Sequence, residues 1–118
     1  MQIFRQQLIA AVAKTEGDDQ VGSVIEVLPR AVVFVLDVTK ADGTTPTLDV
    51  RIESEDPVSG KYFTIDSFTQ VTDSVATERK VFTALHESRL RVAYDITQVA
   101  AADYDFTVSV QGKEGDEA

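Results

Sequence analysis

Several strand-length segments of this chain alternate apolar with polar residues, and this alternation constrains the fold more than any other feature. The pattern is clearest in residues 48–54 and recurs in residues 89–96 and 104–111. A period of two is typical of a strand that buries one face. Segments rich in Asp, Gly, Pro and Ser separate these stretches and indicate turns. The sequence therefore predicts an all-β fold, a single antiparallel β-sandwich or jelly roll of about eight strands.

Length and composition narrow the classes of protein to which the chain can belong. Its 118 residues suffice for one sandwich domain, which needs about 100 residues. The chain has no cysteine, which excludes disulfides, thiol catalysis and thiolate metal sites. Its formal net charge of −9 repels phosphate backbones and anionic lipids, so we expect neither nucleic acid nor a membrane as a partner. Residues 1–13 lack the features of a secretory signal, so we expect no export.

The first part of the chain admits more than one interpretation. Residues 2–13 carry apolar side chains at positions that fit either a helical stripe or one face of a strand. Because residues 16–19 form a strong turn signal and residues 20–28 resemble a strand, we favour a hairpin, with a mobile arm as the competing possibility. The chain then divides into an N-terminal arm or first strand and turn, a β-sandwich domain, and a short, acidic, disordered tail, over residues 1–19, 20–111 and 112–118.

The middle of the chain carries the strongest strand signals. Residues 31–38 contain an unbroken apolar run that is typical of a central strand covered on both faces. Further strands are expected at residues 48–54, 61–68, 70–75, 81–85, 89–96 and 104–111, with turns at Asp42-Gly43 and Ser59-Gly60 and a loop at residues 76–79. Six aromatic residues fall at inward positions and are expected in the core, namely Phe34, Phe63, Phe68, Tyr94, Tyr104 and Phe106. Tyr62 and Phe82 are less clearly inward and could be exposed.

No group of residues forms a convincing catalytic or metal-binding motif. His86 is the only histidine, and although Ser88 and an Asp could complete a triad with it, a solvated loop histidine is the favoured interpretation. Acidic residues cluster at positions 18–19, 53–56 and 103–105, but they lack EF-hand spacing, so we interpret them as solvated turns and strand faces. We therefore expect no enzyme activity, no cofactor and no metal.

The charged run Glu78-Arg79-Lys80, followed by Val81 and Phe82, is the candidate docking loop. It combines charge with an apolar anchor at a strand connection, which is a common composition for a docking surface. The competing interpretation is a solvated loop without a partner. The candidate docking residues are Glu78, Arg79, Lys80 and Phe82.

Several stretches carry a resemblance to a known group of proteins. They are Val33 to Thr39, Gly43 to Glu53, Asp56-Pro57, Ser59 to Phe63, Leu90 to Val92 and Phe106 to Val110. Over roughly residues 31 to 111, the chain resembles small virion structural proteins of tailed bacteriophages, which decorate and cement the outside of capsids as jelly-roll or sandwich domains. The stretch 77–88 is longer and more charged than this resemblance leads us to expect, and residues 1–13 match nothing in it.

The resemblance implies a non-enzymatic capsid decoration or cement protein. Its partner would be the major capsid protein, and it would form a homo-oligomer, with a trimer favoured. It would be made in the host cytoplasm and would lie on the capsid surface of the virion, where several weak contacts together give firm attachment. Two other functions stay open: a tail or baseplate accessory domain that binds another virion protein or a host-surface glycan, and a small hydrolase that uses His86.

Overall fold

The structure, a computed structural model, describes residues 2–9, 13–14, 17–25, 31–83, 89–98 and 100–114. Its regular elements are strands: β1 (Gln2–Ile9), β2 (Ala13–Lys14), β3 (Gly17–Ile25), β4 (Val32–Thr44), β5 (Thr47–Glu55), β6 (Tyr62–Ser67), β7 (Ala76–Phe82), β8 (Leu90–Thr97) and β9 (Ala100–Glu114). Within the described residues, no helix is long and apolar enough to cross a membrane. The predicted all-β class is confirmed.

The strands form two antiparallel sheets. Sheet A has five strands in the order β1-β9-β4-β7, with β2 also paired to β9, and sheet B has four in the order β3-β8-β5-β6. Both β1 and β2 pair with β9 and follow each other along it, so if they are counted together the described residues form eight strands. The pairs β1·β9, β3·β8, β4·β7 and β5·β6 nest inside one another along the chain, as in a long hairpin that has been rolled up. This order is that of a jelly roll, so the predicted fold is confirmed.

The core lies between the sheets and consists of the inward side chains of each strand. Every second residue is buried along β4 from Val32 to Val38 and along β9 from Ala102 to Val110. Sheet B contributes Leu48, Val50, Ile52, Leu90, Val92 and Ile96. Full burial of such side chains stabilises the fold by about 1.5–3 kcal/mol each. Tyr94 of sheet B meets Phe106 of sheet A edge to face, with 5.1 Å between ring centroids, which is a favoured geometry for aromatic pairs.

The aromatic core is close to the one expected from the sequence, with one error. Phe34, Phe68, Tyr104 and Phe106 are buried, and Tyr94 is partly buried against them. Phe63 was expected in the core but is 51% exposed. It lies on β6, which is an edge strand of sheet B, so among the described strands none lies beyond it to cover the ring.

The hydroxyl group of Tyr104 ties the segment after β6 to sheet A. It donates a hydrogen bond to the carbonyl oxygen of Thr72 at 2.7 Å. Burial, with the nearby charges of Asp73 and Asp49, raises the pKa of Tyr104 to about 12, so the hydroxyl keeps its proton at neutral pH. Residues 70–75 form a single bridge between Val71 and Leu48, and the strand predicted there is wrong.

Segments near the two ends of the sequence, residues 2–9 and 100–114, are built into the sandwich. Residues 2–9 form a strand, but β1 pairs with β9 in sheet A whereas β3 pairs with β8 in sheet B, so the hairpin predicted between them is wrong. A period-two pattern identifies a strand without identifying its neighbours, which depend on the packing of the whole chain. At the other end, residues 112–114 belong to β9, while residues 115–118 of the predicted tail lie outside the described residues.

The turn between β4 and β5 lies later than the sequence predicts. Strand β4 continues through Asp42 and ends at Thr44, and the turn is formed by Thr45 (φ 49°) and Pro46. Gly43, with φ 134°, marks a bulge in β4 where the register to β9 shifts. Only glycine adopts such a φ without strain, so the turn residue expected from the sequence instead bends a long strand. The turn predicted at Ser59-Gly60 is present, with φ 76° at Gly60.

Replacement of Gly43 by alanine should destabilise the fold more than the same change at Gly60. A Cβ at Gly43 would lie 2.9 Å from the Cα of Ala102, and backbone strain of this kind costs about 1–3 kcal/mol. Gly60 also has a positive φ, but no atom lies within 4 Å of its added Cβ, so Gly60→Ala is the matched control. Urea unfolding of both variants measures the difference, and equal losses of stability would show that the close approach to Ala102 does not matter.

Candidate interaction surfaces

The structure places the candidate docking residues on β7, an edge strand of sheet A, and not in a loop. The sequence-based assignment of residues 76–79 to a loop is therefore wrong. Lys80 Nζ lies 3.8 Å from Asp66 Oδ1 of β6 and 3.6 Å from Glu78 Oε2. Glu78 Oε1 accepts a hydrogen bond of 2.8 Å from the backbone N–H of Thr69. These contacts join the free edges of the two sheets, and inward charges of this kind protect a sheet edge from pairing with other chains.

The other two candidate docking residues have different environments. Phe82 packs against Phe34 with 5.7 Å between ring centroids and an interplanar angle of 84°, so it belongs to the margin of the core. Arg79 is exposed, and its register partner on β4 is the outward Val35. The four residues thus do not form one surface, because successive residues of a strand point to opposite faces. Their role in docking stays a prediction, and Arg79 alone lies on a broad outer face.

We call the outer surface of sheet A face A. At the end of the sheet where β4 pairs with β7, its outward residues on β4, β7 and β9 are mostly apolar or uncharged, namely Val33, Val35, Thr77, Val81, Thr107 and Ser109. Val33 is directly opposite Val81, and Val81 is 56% exposed. The charges in this part of the face are Arg79 and Asp37, and Asp37 accepts a hydrogen bond of 3.0 Å from the hydroxyl of Thr77. Towards the other end of the sheet, the outward positions of β4 and β9 pair Lys40 with Asp105 and Asp42 with Asp103, so face A is rich in β-branched side chains at one end and acidic at the other.

We call the outer surface of sheet B face B, and it carries a network of ion pairs. Arg51 donates to Glu53 through Nε and to Asp95 through Nη1, each at 2.8 Å. Arg91 Nε donates to the other oxygen of Glu53 at 2.7 Å. The guanidinium carbon of Arg91 lies 3.8 Å from the centre of the Tyr62 ring, which adds a cation–π contact. The network covers Glu53 so well that this outward carboxylate is only 7% exposed.

The charge state of Glu53 depends on this network. Burial by itself raises the pKa of its carboxyl group, but hydrogen bonds from Arg51 and Arg91, and their positive charges, outweigh burial and hold the pKa below its ordinary value of 4.5. A pKa that is lower in the folded than in the unfolded chain means that the charged form stabilises the fold. Face B is thus a surface whose polar groups are already satisfied by one another.

The loop between β5 and β6, residues 56–61, is a compact turn held by its own hydrogen bonds. The carboxylate of Asp56 accepts bonds from the N–H of Val58 at 3.1 Å and from the hydroxyl of Ser59 at 2.9 Å. The same bonds lower the pKa of Asp56. Backbone bonds of 2.8 Å join Asp56 to Gly60 and to Lys61. At the tip of this ordered loop, Val58 is 93% exposed.

The residues considered for a catalytic triad are not covered by the described part of the chain. His86 and Ser88 lie outside the described residues. Lys40 Nζ contacts Asp103 Oδ2 at 2.8 Å, and this hydrogen bond and charge raise the pKa of Lys40. Among the described residues, no three acidic, histidine or cysteine side chains are placed to hold a metal ion. The expectation of a protein without metal or catalysis stays a prediction.

Loss of the Glu53 charge should remove part of the acid sensitivity of the fold. Glu53→Gln leaves Arg51 and Arg91 without their shared carboxylate, so we expect the free energy of unfolding at pH 7 to fall by about 1–3 kcal/mol. In the wild type this stabilisation is complete above the ordinary pKa of 4.5 and is lost as the pH falls through the lowered folded value. The difference between variant and wild type should therefore shrink below that pH.

Glu55→Gln is the matched control for this prediction. Glu55 is on the same strand and lies 3.2 Å from Arg89, whose side chain is 40% exposed, and such surface pairs contribute about 0–1 kcal/mol. Chemical unfolding between pH 3 and pH 7 measures both variants. An identical pH profile for wild type and Glu53→Gln would rule out the proposed linkage.

Comparison with known proteins gives little guidance on function. No known protein family matches the sequence, and no curated protein does. Among solved structures, the chain is similar to PirA, with 15% identity, a TM-score of 0.43 and coverage of 93% of each chain. It is also similar to a protein from Bacillus endospore appendages, a family of disulfide-linked pili, with 13% identity, a TM-score of 0.39, and coverage of 92% of this chain and 86% of that one. At this level of similarity, neither protein indicates a function for this chain.

Proposed function

We propose that the chain is a non-enzymatic structural protein of a tailed-bacteriophage virion that decorates and cements the outer surface of the assembled head. The resemblance over residues 31–111 supports this role. The jelly-roll order supports it at the level of fold, since jelly rolls are common in capsid domains. Because one fold hosts many functions, the fold alone is weak support for this role. A surface suited to binding the major capsid protein is stronger support.

The loop of residues 56–61 is the surface that best suits such docking. Its conformation is already set by the hydrogen bonds to Asp56, so binding does not have to pay for ordering the loop. The exposed side chain of Val58 gives an apolar tip, whose full burial in a partner would contribute about 1.5–3 kcal/mol. The loop thus has the properties of a small rigid anchor for an apolar pocket on the capsid protein.

A single anchor of this strength gives only weak binding, so attachment would depend on multivalency. An oligomer that presents several anchors to a regular lattice engages neighbouring capsid subunits at once. Each further contact is then intramolecular, and the effective concentration of the second anchor replaces the bulk concentration. Bridging neighbours in this way would hold the lattice together without any new chemistry.

The copy number of the protein in purified virions tests its place in the particle. Quantitative mass spectrometry relative to the major capsid protein should give parity or another simple lattice fraction. A trace ratio would instead favour a tail or baseplate accessory domain. Complete absence from virions would overturn the proposal.

Val58→Asp should weaken docking without affecting the fold, because burying a charge at the tip of the loop in an apolar pocket is unfavourable. Binding of the purified protein to heads that lack it should weaken roughly 10–100-fold for each anchor, the range that follows from burying one valine. Val75→Asp is the matched control, since Val75 is also exposed, at 61%, but lies before β7. Equal loss of binding in both variants would show that the loop is not the anchor.

A further inference from the structure

The loop of residues 56–61 is fixed within itself, but its own bonds do not attach it to the rest of the molecule. Among the described residues, the hydrogen bonds of residues 57–61 are made to one another or to Asp56. Strand β8 begins at Leu90, which is opposite Ser54 of β5, so the loop extends past the end of this neighbouring strand. The direction in which Val58 points therefore depends on the base of the hairpin formed by β5 and β6.

This base is interrupted by a bulge. The register between β5 and β6 shifts between Ile52 and Glu53, and a bulge bends a strand and disrupts its ladder. Three residues of β6 lie on the loop side of the shift, namely Tyr62, Phe63 and Thr64. The side chains of Phe63 and Thr64 are exposed, so burial in the core does little to hold this end of β6.

Tyr62 links this end of β6 to a central strand of sheet B. The guanidinium carbon of Arg91 on β8 lies 3.8 Å from the centre of the Tyr62 ring, which is within the range of a cation–π contact. Tyr62 is partly buried. The contact spans β5, because β8 and β6 lie on either side of that strand. It therefore fastens the loop end of the edge strand to the middle of the sheet.

The side chain of Arg91 is itself held in place. Its Nε donates to Glu53 at 2.7 Å, and Glu53 accepts a second hydrogen bond of 2.8 Å from Arg51. Arg51 also donates to Asp95 at 2.8 Å. A long side chain that is already ordered loses little further rotamer freedom when it stacks on a ring. The ion-pair network of face B thus presents Arg91 to Tyr62 in a fixed position.

We propose that Arg91 is a positioning residue, which acts through the ring of Tyr62 to fix the direction in which the loop of residues 56–61 points. The ion pairs of face B then carry the rigidity of the central strands to a loop that extends beyond them. A loop with a fixed direction loses less freedom when it binds. The benefit for docking rests on the proposed function, whereas the positioning itself concerns the free protein.

Nuclear magnetic resonance relaxation of the backbone amides of Val58, Ser59 and Gly60 tests the positioning without any partner. Tyr62→Leu removes the ring but keeps the ion pair of Arg91 with Glu53. The order parameters of the loop amides should then fall from about 0.85 towards about 0.6, or exchange on the microsecond-to-millisecond timescale should appear. Tyr62→Phe keeps the ring, so its loop should stay as rigid as that of the wild type.

Urea unfolding of the same variants separates positioning from general stabilisation. A contact that only stabilises the fold would lower the free energy of unfolding of Tyr62→Leu and leave the loop amides rigid. That result would overturn the proposal. Circular dichroism establishes that each variant is folded. If Tyr62→Leu does not fold, Tyr62→Thr replaces it, because threonine also removes the ring and is favoured in strands.

Binding to heads that lack the protein distinguishes this proposal from the capsid role. If the positioned loop is also the anchor, Tyr62→Leu should bind about two- to fivefold more weakly than Tyr62→Phe, the range expected for the loss of one cation–π contact. A loosened loop with unchanged binding would support the positioning by Arg91 and contradict the role of the loop as anchor.

Discussion

The structure depends on the packing of the inner face of sheet A against the inner face of sheet B. The central pairs β4·β9 and β5·β8 supply most of the buried side chains, and the contact between Tyr94 and Phe106 joins the sheets near their middle. Because this burial uses only alternate residues, the outward positions are free to carry surface chemistry. That freedom explains how faces A and B can differ so much on an ordinary core.

The free edge of the sandwich at β7 has charged side chains on its inward positions, unlike the central strands. At β7, Lys80 and Glu78 point inward at positions that a core strand would fill with apolar residues, and they contact Asp66 and Thr69 beside the other sheet. This arrangement closes the side of the sandwich and opposes strand addition at that edge.

Sequence patterns predicted the parts of the fold in which inward residues are apolar. Strands β5 and β8, and most of β9, follow the expected alternation. The sequence predicted a strand only from residue 81, and the earlier part of β7 was missed because its inward positions are Glu78 and Lys80, whose contacts with Thr69 and Asp66 no local pattern can reveal. The exposed Val58 was missed for a related reason, since Pro57, Ser59 and Gly60 indicate a turn but not which side chain it displays.

The position of β9 in sheet A also governs how the chain can fold. It is the last strand in chain order, yet it lies between β1 and β4 and is hydrogen-bonded to both. During synthesis on the ribosome, β1 therefore has no described partner strand in its sheet until the residues of β9 have emerged. Pairing between such distant segments is slow, because a long loop must close before any contact forms. Sheet A is thus expected to be completed in one late step, when β9 pairs with both β1 and β4.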